Sequence, residues 1–299
     1  MDLRSLSDNQ ILRLKLKDLY YKFDLKFKHA SLIQKLYQGL QRRGITFRPE
    51  VYPSSEWMCA DSTGAFAYNV SLLHPRLIQL ERQLLGFCEG ESVNEAIKIM
   101  RHECGHAIDN AFKLRKSSFR RELFPVEKNI TYPDFYHPQK YSTRFVKNLN
   151  GNYAQSHPDE DFAETFAVWL TPKKEWQKKY HHTPALRKLI VMDILMRDHV
   201  IGKNPQLTSQ KAFYHIKNDD RTVYRFLMDK RKERGLLHSP LIKRSLTLKD
   251  KKQIERYSQI LHIPKYRLEK VFSKQDIHST ITLKRAKNLI DQGYDREFM

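Results

Sequence analysis

The 299-residue sequence has only three cysteines, Cys59, Cys88 and Cys104, too few for a disulfide scaffold. Ten glycines and twelve prolines exclude a collagen-like or linker-like chain. No stretch approaches the ~18 consecutive apolar residues of a membrane span. The greasiest run, LIVMDILM after Lys188, is interrupted by Asp193. The start, MDLRSLSDNQ, lacks the apolar core and small-residue cleavage site of a secretory signal. Glycine-rich phosphate loops and the G-x-S-x-G nucleophile pattern are also missing. These absences lead to the expectation of a soluble, cytoplasmic protein with reduced thiols and no membrane span. Acidic residues are scarce as well, 34 against 54 basic, a net charge of +20. Such a balance suits polyanions or acidic surfaces without naming one.

What is present is enough apolar material for a core, 40% hydrophobic and 11% aromatic. The length suits one large or two modest domains. The first 45 residues read as helix, with Ser7 and Gln10 as a capping box, a second helical stretch over about Ser31–Gln41 and Gly44 as its stop. Residues 45–70 turn β-branched and aromatic, and two or three short strands are expected there. Gly64-Ala65-Phe66-Ala67-Tyr68 has the character of an edge strand that an extended peptide could join, or of a plain structural strand. Helices are expected over about 72–87, 92–114, 156–170 and 184–199. Ser156 is the expected cap of the third. Residues 117–150 form a loop-rich insert with Pro125, Pro133 and Pro138. Beyond Gly202 the composition shifts, and residues 205–299 carry 22 basic and 11 acidic residues. A boundary near 204 therefore divides a domain at 1–204 from a basic helical extension at 205–299.

The chemistry concentrates in two helices. His102-Glu103-Cys104-Gly105-His106 is an H-E-x-x-H motif. Residues four apart lie one above the other on a helix, so both imidazoles can face one ion. Neutral imidazoles suit zinc, and a neighbouring carboxylate can take a proton from an activated water. Two histidines leave such a site half filled. Asp109 lies ~10 Å along the axis from His102, too far to share the ion, and reads as a salt-bridge residue. Phe112 stands where an extended motif would need its third histidine. Cys104 falls on the apolar stripe and reads as core. In the other helix, Glu160 and Glu164 are four apart on one face. Glu164 lies among apolar residues, and a buried carboxylate needs a partner such as an imidazole N–H.

The motif H-E-C-G-H-A-I-D, followed some fifty residues later by Y-A-Q-S-H-P-D-E-D-F-A-E-T-F-A, resembles a bacterial family of zinc-binding metallopeptidases. More distantly it is similar to the catalytic domain of anthrax-toxin lethal factor. Both belong with the gluzincins. The resemblance runs from about Leu6 to about His199 and takes in FRPEVYPSSEWM and LLHPRLIQLER. It implies an α+β, mostly helical zincin-like domain with a small sheet, and zinc held by His102, His106 and Glu160. It further implies Glu103 as general base and Tyr153 as a transition-state donor. Glu164 matches a position, usually Asp, that supports a ligand histidine. The implied activity is zinc-dependent hydrolysis of a peptide or protein substrate.

Two other readings stand beside it. One is a zinc amidase acting on a non-protein amide. The other is a nucleic-acid-binding protein with a structural or vestigial zinc site. In the extension, residues 246–272 could be two short helices around His262-Ile263-Pro264. That is the layout of a helix–turn–helix DNA reader, or of a basic hairpin packed on the enzyme, and the hairpin is the reading adopted at this level.

Overall fold

The computed structural model describes residues 2–125, 136–236, 248–274 and 282–291. Pro133, in the proline-rich insert, and residues 246–247, at the start of the expected hairpin, lie outside the described residues. The helices, in chain order, are α1 (Asp8–Arg13), α2 (Leu16–Lys22), α3 (Ala30–Arg42), α4 (Pro75–Leu85), α5 (Val93–Ala111), α6 (Ser118–Leu123), α7 (Pro158–Trp169), α8 (Lys173–Lys179), α9 (Pro184–His199), α10 (Val223–Glu233), α11 (Leu248–Leu261), α12 (Lys265–Lys274) and α13 (Leu283–Asp291). Between α3 and α4 lie two strands, β1 (Val51–Ser54) and β2 (Phe66–Asn69). A mostly helical chain with one small sheet is an α+β fold, as expected. Among the described residues no helix is long and apolar enough to cross a membrane.

The chain divides into two compact units. One comprises Met1–Leu25, His74–Cys88 and Asp220–Met299; the other comprises Lys26–Leu73 and Glu89–Asp219. This division does not follow the linear boundary near 204. In the second unit, the Gln206 and Leu207 N–H groups donate to Ala111 O at 2.8 and 2.9 Å, and the Gly64 N–H donates to Ser209 O. Residues 206–219 therefore complete the unit that contains the H-E-x-x-H helix. In the first unit, the Leu16 N–H donates to Arg221 O and the Val223 N–H donates to Leu14 O, both at 2.9 Å. Buried Lys230 on α10 pairs with Glu81 on α4 at 2.8 Å. Composition along the chain cannot register such long-range exchange.

In the second unit, local signals set the two central helices. Ser92 caps α5 by accepting from the Glu95 N–H at 3.2 Å. The α7 cap is His157 rather than Ser156: its Nδ1 accepts from the Asp159 N–H at 3.1 Å. Pro158 explains the shift, because proline favours the first helical position and makes the preceding residue the cap. Asp159, Glu160 and Asp161 then occupy the first turn, where the helix dipole favours carboxylates. Every residue from Asp159 to Trp169 is buried, so α7 runs through the interior. Each fully buried aromatic there contributes on the order of 1.5–3 kcal/mol.

The strands pair in parallel, with Val51 opposite Phe66 and Ser54 opposite Asn69. β2 is buried along its length. Its Ala67 N–H donates to Met58 O at 2.7 Å, and its carbonyl accepts from the Met58 N–H at 3.4 Å. The edge that a substrate strand would need at Ala67 is thus already taken from within the chain. Ser54 of β1 bridges to His215, whose ring stacks on Tyr52.

Two predictions concern this framework. A Cβ on Gly105 would stand 3.1 Å from Ala163 Cα and 3.2 Å from Phe166 Cβ, where α5 meets α7. Gly105→Ala should lower unfolding stability by about 1–3 kcal/mol through overpacking, read by denaturant titration. His215 is the second case. Burial, helped by Lys217, lowers its pKa from 6.5 to about 4. The fold holds the ring neutral while the unfolded chain takes a proton below 6.5. This contribution is complete above 6.5 and is lost as pH falls toward 4. His215→Asn, which keeps an acceptor for the Lys217 N–H, should flatten the acid limb of a stability-versus-pH curve.

Candidate metal centre

The close approach of α5 and α7 brings three donor side chains together. His102 Nε2 lies 3.2 Å from His106 Nε2, and Glu160 Oε2 lies 2.9 Å from the first and 3.4 Å from the second. All three residues are buried and could hold a metal ion. Donors at ~2.0–2.1 Å from one tetrahedral ion stand roughly 3.3 Å apart, so the spacing fits such a centre. Asp109 and Glu164 stay outside it.

Glu164 works behind His102. The His102 Nδ1–H donates to Glu164 Oε1 at 2.9 Å, which aims Nε2 at Glu160 and His106. Glu164 also accepts from Asn148 Nδ2 at 2.8 Å and from the backbone N–H groups of Asn148 and Leu149 at 3.3 and 2.8 Å. Four donors on a carboxylate with no solvent exposure explain how it tolerates burial.

Burial opposes charge on the His102 ring, but hydrogen bonds to Glu160 and Glu164 outweigh it and push its pKa up to about 10. Burial also works against a charged Glu160, yet hydrogen bonds from His102 and His106 drive its pKa well below the carboxylate range. A metal ion must displace the His102 proton, so binding is expected to release it. Burial raises Glu103 to about 7, although both imidazoles pull it down.

Two cavities meet at these residues. One, of about 540 Å³, is lined by Trp57, Glu95, Lys98, His102, Glu103 and Tyr153. The other, of about 210 Å³, reaches Cys59, Asn110, His106 and Glu160. Tyr153 lines both, its ring centroid 5.6 Å from that of His102. It sits in a 3-10 segment, Asn150–Gln155, in which Gly151 and Asn152 both have positive φ. Burial raises the Tyr153 pKa, so the phenol keeps its proton at neutral pH. Burial likewise keeps Cys59 and Cys104 as thiols. Tyr141 and Arg144, in the loop-rich insert, are exposed, and Arg144 lines a different cavity.

Asp109, read as a salt-bridge residue, belongs to an ion-pair network beside the centre whose arginines carry no signal of their own in the sequence. Arg120, 1% exposed, pairs with Asp109 of α5 at 3.2 Å and with Asp159 of α7. Arg115 reaches Asp159 at 3.2 Å. Burial would raise the Asp159 pKa, but the two guanidiniums overcome it and lower it. Both arginines sit in or beside an exposed-looking polar stretch, 115–121, with no periodicity that marks one of them as buried. Asn148 and Trp57 lie in loops, and neither belongs to a chemical motif, although Trp57 falls within FRPEVYPSSEWM.

No family model, no curated protein and no solved structure matches the chain. The donor geometry makes its own prediction. Glu160→Ala should remove most of the affinity for a divalent metal. Glu164→Ala should lower it by roughly 10–100-fold, as loss of a supporting hydrogen bond does, and should also lower the melting temperature. Chelator-competition titration of both variants checks the order.

Proposed function

We propose that the chain is a zinc-dependent metallopeptidase of the gluzincin kind. The observation that carries this reading is a buried His102–His106–Glu160 group with Glu103 and Tyr153 beside it on a cavity wall. Two imidazoles and one carboxylate form a donor set suited to zinc with a position left for water. Bound zinc would supply Lewis acidity, polarising a carbonyl and making water a nucleophile near neutral pH.

The remaining steps belong to the chain's own side chains. Glu164 and Asn148 fix the His102 ring, so its donor nitrogen needs no reorientation during turnover. Glu103 takes a proton from the attacking water and returns it to the leaving amine, a double role open to a carboxylate that lines the cavity beside His102. The Tyr153 phenol donates a hydrogen bond to the oxyanion that develops on the substrate carbonyl. The cavity of about 540 Å³ has room for substrate side chains beside Trp57. A zinc amidase would use the same groups, and substrate assays separate the two.

Glu103→Gln should retain one zinc per chain and lose most hydrolysis of a peptide library. Tyr153→Phe should keep zinc and lower kcat by roughly 10–10³-fold, the cost of one oxyanion donor. Zinc content by elemental analysis, with turnover measured on the same preparations, checks both. Zinc-replete wild type that cleaves small amides but no peptide would point to the amidase. Glu103→Gln protein with unimpaired turnover would remove Glu103 from the mechanism.

A further inference from the structure

We infer that α11, α12 and α13 form a helix–turn–helix module that binds duplex DNA with α12 in the major groove, a function separate from hydrolysis. The three helices share an apolar cluster of their own. Ile254 comes from α11, Leu268, Val271 and Phe272 from α12, and Ala286 and Ile290 from α13, all between 0% and 4% exposed. Tyr257 and Ile263 pack against it. This core makes the turn between α11 and α12 a built feature of a bundle, beyond what a surface hairpin requires.

Three residues, 262–264, separate α11 from α12. His262 adopts a left-handed conformation, φ 51°, a region costly for most side chains but entered more readily by histidine. The Ser258 hydroxyl donates to the Ile263 carbonyl at 2.7 Å and closes the turn. A turn of three or four residues, often holding a glycine, joins the helices of DNA-reading helix–turn–helix units. Here His262 takes the left-handed place that glycine fills most easily.

The inward residues of α12 fix what it presents outward. With Leu268, Val271 and Phe272 in the core, Lys265, Tyr266 and Glu269 are exposed, Tyr266 by 60%. These side chains supply a cationic donor, a phenol and an acceptor on consecutive turns. Lysine suits guanine O6 and N7, glutamate accepts from cytosine N4, and the aromatic ring of Tyr266 can pack on a thymine methyl. Lys265 pairs with Glu255 at 2.5 Å, but both are more than half exposed. Such a surface pair is weak and exchanges readily for another partner.

Charge supports the same ligand. Residues 248–291 carry 11 basic and 5 acidic residues. Lys251, Lys252 and Arg256 on α11, and Lys284 and Lys287 on α13, are exposed, available for the phosphates that flank a groove. A B-form major groove about 12 Å wide admits a helix. The major groove of A-form RNA is too deep and narrow for side chains to read. Charge alone would give sequence-blind binding, so the distinguishing property is sequence preference.

The full chain should therefore enrich one sequence family from a library of random DNA duplexes. Tyr266→Ala and Glu269→Ala should each weaken binding of the selected duplex by roughly 10–100-fold. Neither should change affinity for a scrambled duplex by more than about twofold, because neither residue supplies the cationic phosphate contacts. Both positions are exposed, and unchanged thermal melting will show that the variants fold. Lys284→Ala with Lys287→Ala should weaken both duplexes alike and flatten the salt dependence. Failure to enrich any sequence would overturn the inference. So would wild-type affinity of the Tyr266 and Glu269 variants for the selected duplex, or tighter binding of single-stranded RNA or polyglutamate than of that duplex.

Discussion

The candidate centre depends on how closely α5 can approach α7. His102 and His106 project from one helix and Glu160 from the other, so the distance between the helix axes sets the distance between the donors. Gly105, placed between the two histidines, faces Ala163 and Phe166, and a single added carbon there would already be tight. Small residues at a crossing let backbones come together, and the surrounding apolar side chains then lock the approach through dense packing. The donor spacing of 2.9–3.4 Å is thus a consequence of core packing.

That approach concentrates negative charge in a dry interior. Asp109, Glu103, Glu160, Glu164 and Asp159 are all less than 9% exposed. Each is tolerated by a different device. Glu164 is saturated with hydrogen bonds, and Asp109 and Asp159 share Arg120 and Arg115. Glu160 faces two imidazoles. Glu103 meets the problem by having its pKa raised toward neutrality. Removing one member of a buried pair leaves an uncompensated charge, which costs more than the pair itself contributes. The two arginines therefore help hold the geometry of the centre although neither reaches the donor atoms.

Much of this was legible in the sequence because it rests on local periodicity. Ser92 and the apolar repeat of 92–114 define α5, and the four-residue spacing of His102 and His106 puts both on one face. The apolar surroundings of Glu164 foretold a buried carboxylate with an imidazole partner. The cap of α7 falls one residue past Ser156, because Pro158 at the first helical position makes His157 the cap. Other features were illegible for a different reason. Arg120 and Asn148 act through contacts 11 to 39 and 16 residues away in the chain, and nothing in their own neighbourhoods marks them. The interleaving of the two units has the same origin, since strand-like bridges such as Lys15 to Thr222 connect segments that composition treats as unrelated.

The net charge of +20 and the acidic centre are not in conflict, because they act over different distances. In physiological salt, exposed charges are screened beyond about 8–10 Å, so the potential at a buried donor is set by its immediate neighbours. His102 illustrates this. It sits in a strongly basic protein, yet two adjacent carboxylates stabilise its proton to about pH 10. A basic surface, by contrast, acts collectively on an extended polyanion whose own charges are closely spaced. One chain can hold a cation among buried carboxylates and still present cationic helices to a polyanion. Burial, more than the overall count of charges, decides which of the two each residue serves.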